Sequence, residues 1–345
     1  MEISINGRIV PRDRALVSAA DMSLLHGSGL FTTVRVYGGR AFRLHDHLER
    51  LLRSAADLYL NCTVGFGELL EMVEDVLDVG QMREGRLRVT VTAGDSPLVF
   101  APVGEEPPRS NVVITLTELQ AYPAELYRSG VSVIVSDHRH NPSDALAGHK
   151  TTSYLGQLLG LQEARSRHAL EALRFTHDGR LAEASVANVF IVQEDRLITP
   201  PLSLGILPGV ARGVALEVAR ESGLQPEERD ITLQEVLDAD EVLLTNSIME
   251  VLPVVRVERR AIGDEKVGEA ARALLAAYQA QVCEELELVD RAGAGAGFSA
   301  GPADDDEDEE PDPMLHGRVW AADEEQDTDA EEEDDGDNRP SGGRF

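Results

Sequence analysis

Near residue 291 the chain changes character, and this break decides how much of it can fold. From RAGAGAGFSAGPADDDEDEEPDP onward almost nothing is apolar, and residues 291–345 carry 19 acidic side chains against four arginines. A segment of that composition cannot bury enough apolar surface to offset the entropy of ordering it. The sequence therefore predicts a disordered acidic tail over 291–345, with a folded body ahead of it. Tail and body share the total charge of −30 equally, so the tail is far more densely acidic. One apolar island, MLHGRVW (314–320), contains the only tryptophan and reads as a chance patch in a solvating tail.

The charge also limits partners. Phosphate backbones need clustered cations, so nucleic acid is excluded, and an anionic membrane surface repels such a chain. No run of 18 apolar residues is present to span a bilayer. MEISINGRIVPRDR lacks the basic patch and long apolar core of a signal peptide. Cys62 and Cys283 are too few for a disulfide framework. A cytoplasmic protein is expected.

Within the body, ISINGRIVP and LFTTVRVYGGRAFRL read as hairpins around Asn-Gly and Gly-Gly. Residues 44–60 repeat apolar positions at helical spacing, and a second helix covers about 66–79. LRVTVTAG and NVVITLTEL read as strands. These elements make a small N-terminal α+β domain over 1–118, with a connector over 119–130. A second domain over 131–290 begins with the strand VSVIVSD. It continues with a helix over 153–167 and three short strands over 171–199. A helix from about 209 to 222, two further strands and a closing helix over 266–288 complete it.

Thirty of the 32 basic residues are arginine; only Lys150 and Lys266 are lysine. Arginine keeps its proton in proteins and lysine can lose it, so a lysine retained against this bias points to amine chemistry. Lys266, in GDEKVGEAARA, starts an amphipathic helical pattern and reads as a solvated charge. Lys150, in LAGHKTTSYLGQLL, sits at a loop-to-helix transition. A metal site is not expected: His45 and His47 are two apart on one helix and do not share a face. His138, His140 and His149 flank the lysine loop without a fixed scaffold.

Lys150, the strand carboxylate Glu183, the helix arginine Arg50 and the helix start at Leu207-Pro208-Gly209-Val210-Ala211 are together the parts needed to hold pyridoxal 5′-phosphate. A lysine forms the Schiff base, a carboxylate faces the pyridine nitrogen, and an arginine with free helix N–H groups takes the phosphate. Order and wording make this specific. HGSGLFTTVRVYGG, FRLHDHLERLLRSA, GHKTTSYLGQLLGLQEA, GRLAEASVANVFIV, RLITPPLSLGILPGVAR and DEVLLTNSIMEVLPV follow one another as in the class IV (fold type IV) pyridoxal-phosphate enzymes. The chain resembles that family from about residue 3 to 285. The family includes branched-chain aminotransferases, D-amino acid aminotransferases and aminodeoxychorismate lyase.

The resemblance implies an α+β fold of two domains, the first small and sandwich-like, the second larger and barrel-like. It assigns Lys150 the Schiff base and Glu183 the pyridine nitrogen. Arg50, the backbone of Val210 and Ala211, and Ser247 fall to the phosphate, and the adjacent Asn246 is a further cofactor-binding position. Tyr154 would meet the phenolic oxygen, although its spacing from the lysine is one residue short of the branched-chain pattern. Thr32, Arg139 and His140 are candidates for substrate contacts. A homodimer with the partner closing each pocket is implied, acting on amino acids and 2-oxo acids.

The expected reaction is amino-group transfer between an amino acid of branched-chain or D type and a 2-oxo acid. The alternative is a lyase releasing pyruvate from 4-amino-4-deoxychorismate. Gly27-Ser28-Gly29-Leu30-Phe31-Thr32-Thr33 lacks the Asp and Glu of many members, and Phe-Thr-Thr and Thr245-Asn246-Ser247 look lyase-like. A non-catalytic binding protein on this fold is the third reading, and the retention of Lys150 argues against it.

Overall fold

The computed structural model describes residues 1–95 and 109–288. The expected acidic tail and its MLHGRVW island lie outside the described residues.

Six antiparallel strands form the first sheet: β1 (Glu2–Ile5), β2 (Arg8–Val10), β3 (Gly29–Tyr37), β4 (Arg40–Ala41), β5 (Glu84–Thr92) and β6 (Val112–Glu118). Their order is β2-β1-β6-β5-β3-β4. The Asn6-Gly7 turn of the first hairpin has φ of 50° and 77°, the left-handed pair that matches strand twist. Helices α1 (Met22–His26), α2 (Leu44–Asp57) and α3 (Phe66–Gly80) belong to this half. Leu48 and Leu51 of α2 and Leu69 and Val73 of α3 pack on Leu87, Val89 and Ile114 of the sheet. The strands alternate, so Arg86 and Arg88 of β5 point away from this core.

The second sheet has nine strands: β7 (Val131–Val135), β8 (Glu171–Phe175), β9 (Leu181–Ala184), β10 (Asn188–Gln193), β11 (Arg196–Thr199), β12 (Gln225–Glu228), β13 (Glu241–Asn246), β14 (Glu250–Val257) and β15 (Arg260–Ala261). The order β12-β11-β10-β13-β14-β7-β8-β9, with β15 on β14, makes a half-barrel. The helices of this half are α4 (Ala124–Ser129), α5 (Leu155–Ser166), α6 (Val210–Val218), α7 (Leu233–Leu237) and α8 (Glu269–Glu285). The run VFIV in β10 is buried on both faces. Val189 and Ile191 enter one core cluster, and Phe190 and Val192 enter another built with α6 and α8.

Three expectations differ from the structure. Residues 171–199 form four strands where three are expected, because β9 pairs with β8 while β10 pairs with β13, and the chain must bend at 185–187 to serve both. The helix expected over about 209–222 ends at Val218. It tightens into a 3-10 turn over Arg220–Ser222, which Gly223 stops at φ 78°. The connector over 119–130 contains α4.

Candidate active site

The lysine segment is held as an added rung on β3. The Phe31 N–H donates to the Lys150 carbonyl at 2.9 Å, and the Thr152 N–H donates to the Gly29 carbonyl at 2.8 Å. This pairing carries Lys150 from a loop into a cavity of about 940 Å³. Arg50, Tyr154, Glu183, Val210, Ala211, Asn246 and Ser247 line the same cavity.

Around the amine, Lys150 Nζ donates to the Tyr154 hydroxyl at 3.2 Å. It also lies 4.7 Å from the centre of the Phe31 ring, which the Arg88 guanidinium approaches at 3.6 Å. Burial, reinforced by Arg50, Arg88 and Arg86 and opposed by Glu183, lowers the Lys150 pKa to about 7. A large share of its amine is therefore neutral at physiological pH. Burial pushes the Tyr154 phenol up to about 12, so it stays protonated.

Glu183, on β9, receives two donors. Its Oε1 pairs with Arg174 Nη2 of β8 at 2.7 Å, and its Oε2 accepts from the Leu207 N–H at 3.0 Å. The second contact ties the carboxylate to the loop that leads into α6.

At the other end, Arg50 Nη1 donates to the Pro208 carbonyl at 3.0 Å and Nη2 donates to Thr32 Oγ1 at 3.1 Å. Burial lowers its pKa to about 10, so it remains a cation, and among the described residues no carboxylate pairs with it. Gly209 caps α6 without a side chain, leaving the first N–H groups directed out of the helix end. A half-buried cation without a carboxylate partner beside an uncapped helix N-terminus fits a phosphate dianion. With an amine and a carboxylate farther along the cavity, the donor set fits pyridoxal 5′-phosphate.

Asn246 ends β13 and Ser247 begins the turn that follows it. The Asn246 amide is committed to backbone groups: Nδ2 donates to the Val186 carbonyl between β9 and β10 at 3.2 Å, and Oδ1 accepts from the Ile248 and Met249 N–H groups of the turn. Thr32 is fully buried below Arg50, its Oγ1 2.7 Å from His47 Nδ1. His140 is also buried, and its Nε2–H donates to the Leu204 carbonyl at 2.8 Å. Arg139 is exposed at the cavity wall.

Five further residues belong to the site without a local sequence motif to mark them: Phe31, His47, Arg86, Arg88 and Arg174. His47 contacts Thr32 and, at 3.5 Å, Ser247 Oγ. Burial between Arg50 and Lys150 holds its imidazole well below the usual value and therefore neutral. Arg86 and Arg88 alternate with Leu87 and Val89 in β5 and line the cavity.

The family model described as amino-transferase class IV matches residues 29–257. The aminodeoxychorismate lyase of Bacillus subtilis is 32% identical over 282 residues, 81% of this chain and 94% of that protein. The D-alanine aminotransferase of Bacillus licheniformis is 29% identical over 286 residues, 83% and 98% of the two chains. A branched-chain amino acid aminotransferase from T.th., solved with N-(5′-phosphopyridoxyl)-L-glutamate, superposes with a TM-score of 0.76 at 27% identity, covering 82% and 94%. The chain belongs to the class IV aminotransferase family. It is an enzyme of that pyridoxal-phosphate-dependent class, with the fold type IV architecture of those structures. No helix among the described residues is long and apolar enough to cross a membrane.

Proposed function

We propose that this chain moves an amino group between an amino acid, of branched-chain or D type, and a 2-oxo acid, with Lys150 as the reactive amine. The observation that carries this reading is the lowered Lys150 amine in one cavity with Glu183, Arg50 and the open end of α6. Pyridoxal 5′-phosphate, when bound, supplies an aldehyde that takes up the substrate amine and a ring that delocalises the electron pair left at the α-carbon. Lys150 holds the cofactor at rest. With the cofactor bound and Lys150 released from it, the neutral Nζ would take the substrate's α-proton and, as ammonium, hold it for return. Glu183 keeps a proton at the ring nitrogen, and Tyr154 orients Nζ. Arg50, Ser247 and the Val210 and Ala211 N–H groups hold the phosphate. Arg86 and Arg88 give the outer cavity two cations suited to substrate carboxylates, beside Arg139.

In this reading residues 1–118 and 131–290 are two domains joined at 119–130, and the tail takes no part in turnover. A homodimer closes the pocket. Leu24 and Leu25 of α1 and Leu155, Leu158 and Leu159 of α5 are 47–70% exposed, on neighbouring segments linked by the 3.0 Å Ser23–Thr152 hydrogen bond. Light scattering is expected to read twice the chain mass, and a fully active monomer contradicts the dimer. The cytoplasm is the proposed location.

A panel of L-leucine, L-valine, L-isoleucine, D-alanine and aminodeoxychorismate, each mixed with holoenzyme alone, tests the reaction. Formation of the matching 2-oxo acid from an amino acid is expected, stoichiometric with enzyme until a second 2-oxo acid is added. Pyruvate release from aminodeoxychorismate alone, with every amino acid inert, overturns the transferase reading.

A further inference from the structure

We infer that the buried Arg35–Glu250 ion pair is a positioning device: it fixes the Asn246–Glu250 turn against β3 and thereby sets how tightly Ser247 holds the cofactor phosphate. The inference rests on the proposed role of Ser247. Neither charged residue lines the cavity.

Arg35 belongs to β3 in the first sheet and Glu250 opens β14 in the second, so the pair is a joint between the two sheets. Arg35 Nη1 lies 2.7 Å from Glu250 Oε1, and the two side chains are 6% and 3% exposed. The same Nη1 donates to the Ile248 carbonyl at 3.0 Å. One guanidinium thus grips both the middle and the end of the turn. The carboxylate is further held by the Tyr37 hydroxyl, which donates to Oε1 at 2.8 Å, and by Gln279 Nε2 of α8, which donates to Oε2 at 2.8 Å. The Tyr127 hydroxyl donates to the Met249 carbonyl at 3.0 Å, closing the turn from α4.

Two features mark this joint as more than packing. Glu250 has φ 59°, in the left-handed region that a residue with a side chain keeps only where its surroundings over-determine it. A buried ion pair is also a poor source of stability compared with apolar side chains of similar volume, so what it contributes is geometry. The geometry is directional. β3 also carries Thr32, which contacts Arg50 and, through His47, Ser247. Fixing the turn to β3 therefore sets Ser247 and Arg50 in one frame.

The full-length protein tests this through its equilibrium dissociation constant for pyridoxal 5′-phosphate, the 31P resonance of the bound cofactor and the melting temperature. Ser247→Ala is the reference variant. Arg35→Met with Glu250→Met removes the pair without stranding a charge. Tyr37→Phe loosens it by one hydrogen bond if the double variant does not fold. The double variant is expected to weaken cofactor binding about tenfold, the size of one charge-assisted phosphate contact, and to shift the 31P resonance whatever its melting temperature. Adding Ser247→Ala is then expected to weaken binding less than twofold further. If Ser247→Ala weakens binding while the pair variants bind within twofold of the parent with an unmoved resonance, the pair is structural only and the inference fails alone. If Ser247→Ala itself binds like the parent, the phosphate reading of the turn fails, and the inference falls with it.

Discussion

Lys150→Ala is expected to abolish turnover and covalent retention of the cofactor, leaving at most weak phosphate-held binding. Lys150→Arg is expected to fail equally, because a guanidinium does not give up its proton. No substitute amine is near: Lys266 is surface-exposed and pairs with Asp264 at 3.8 Å. The lowered pKa adds a pH signature. Only the neutral amine attacks an aldehyde, so in cofactor-free protein the rate of covalent attachment is expected to rise about tenfold per pH unit up to about 7 and then level off. A rate still climbing through pH 9 would mean an ordinary lysine. The linkage runs the same way. The folded chain binds fewer protons than the unfolded one between about 7 and the usual lysine value, so Lys150 makes cofactor-free protein more stable as pH rises through that window.

Glu183→Gln is expected to keep the cofactor and slow α-proton removal by about tenfold to a thousandfold. An opposite charge beside a protonated nitrogen is worth roughly 1–3 pKa units, and a neutral amide gives that up. The amide oxygen can still accept from the Leu207 N–H, so the loop into α6 stays in register. Arg174 loses its half-buried partner, so some melting temperature is lost as well. Single-turnover kinetics with a saturating amino acid separate the two effects. A parent rate in Glu183→Gln would remove the carboxylate from the chemistry.

Local patterns made much of this fold readable. The apolar spacing of Leu44, Leu48, Leu51 and Ala55 gave α2, and Asn6-Gly7 and Gly38-Gly39 gave both early turns. The arginine bias isolates Lys150 from composition and local pattern alone. What stayed hidden depended on distant partners. Arg86 and Arg88 alternate with Leu87 and Val89, a pattern that normally marks a solvent face. Here that face looks across at a second sheet formed by residues far along the chain. His47 lies on the buried stripe of α2 among leucines, and its role rests on contacts to the distant Thr32 and Ser247. QPEE has no apolar rhythm, yet it becomes β12 because β11 offers a parallel edge. Thr232 and Glu235 form a capping box at α7, a local signal present in DITLQE.

The central claim is that Lys150 is the amine that holds the cofactor. Borohydride reduction of the full-length holoenzyme, followed by tryptic mapping, tests it most directly. Modification blocks cleavage at the lysine, so the account predicts a labelled peptide running from His140 to Arg165 with Lys150 uncut. A label on Lys266 or on the N-terminal amine, with Lys150 cleaved normally, would contradict it.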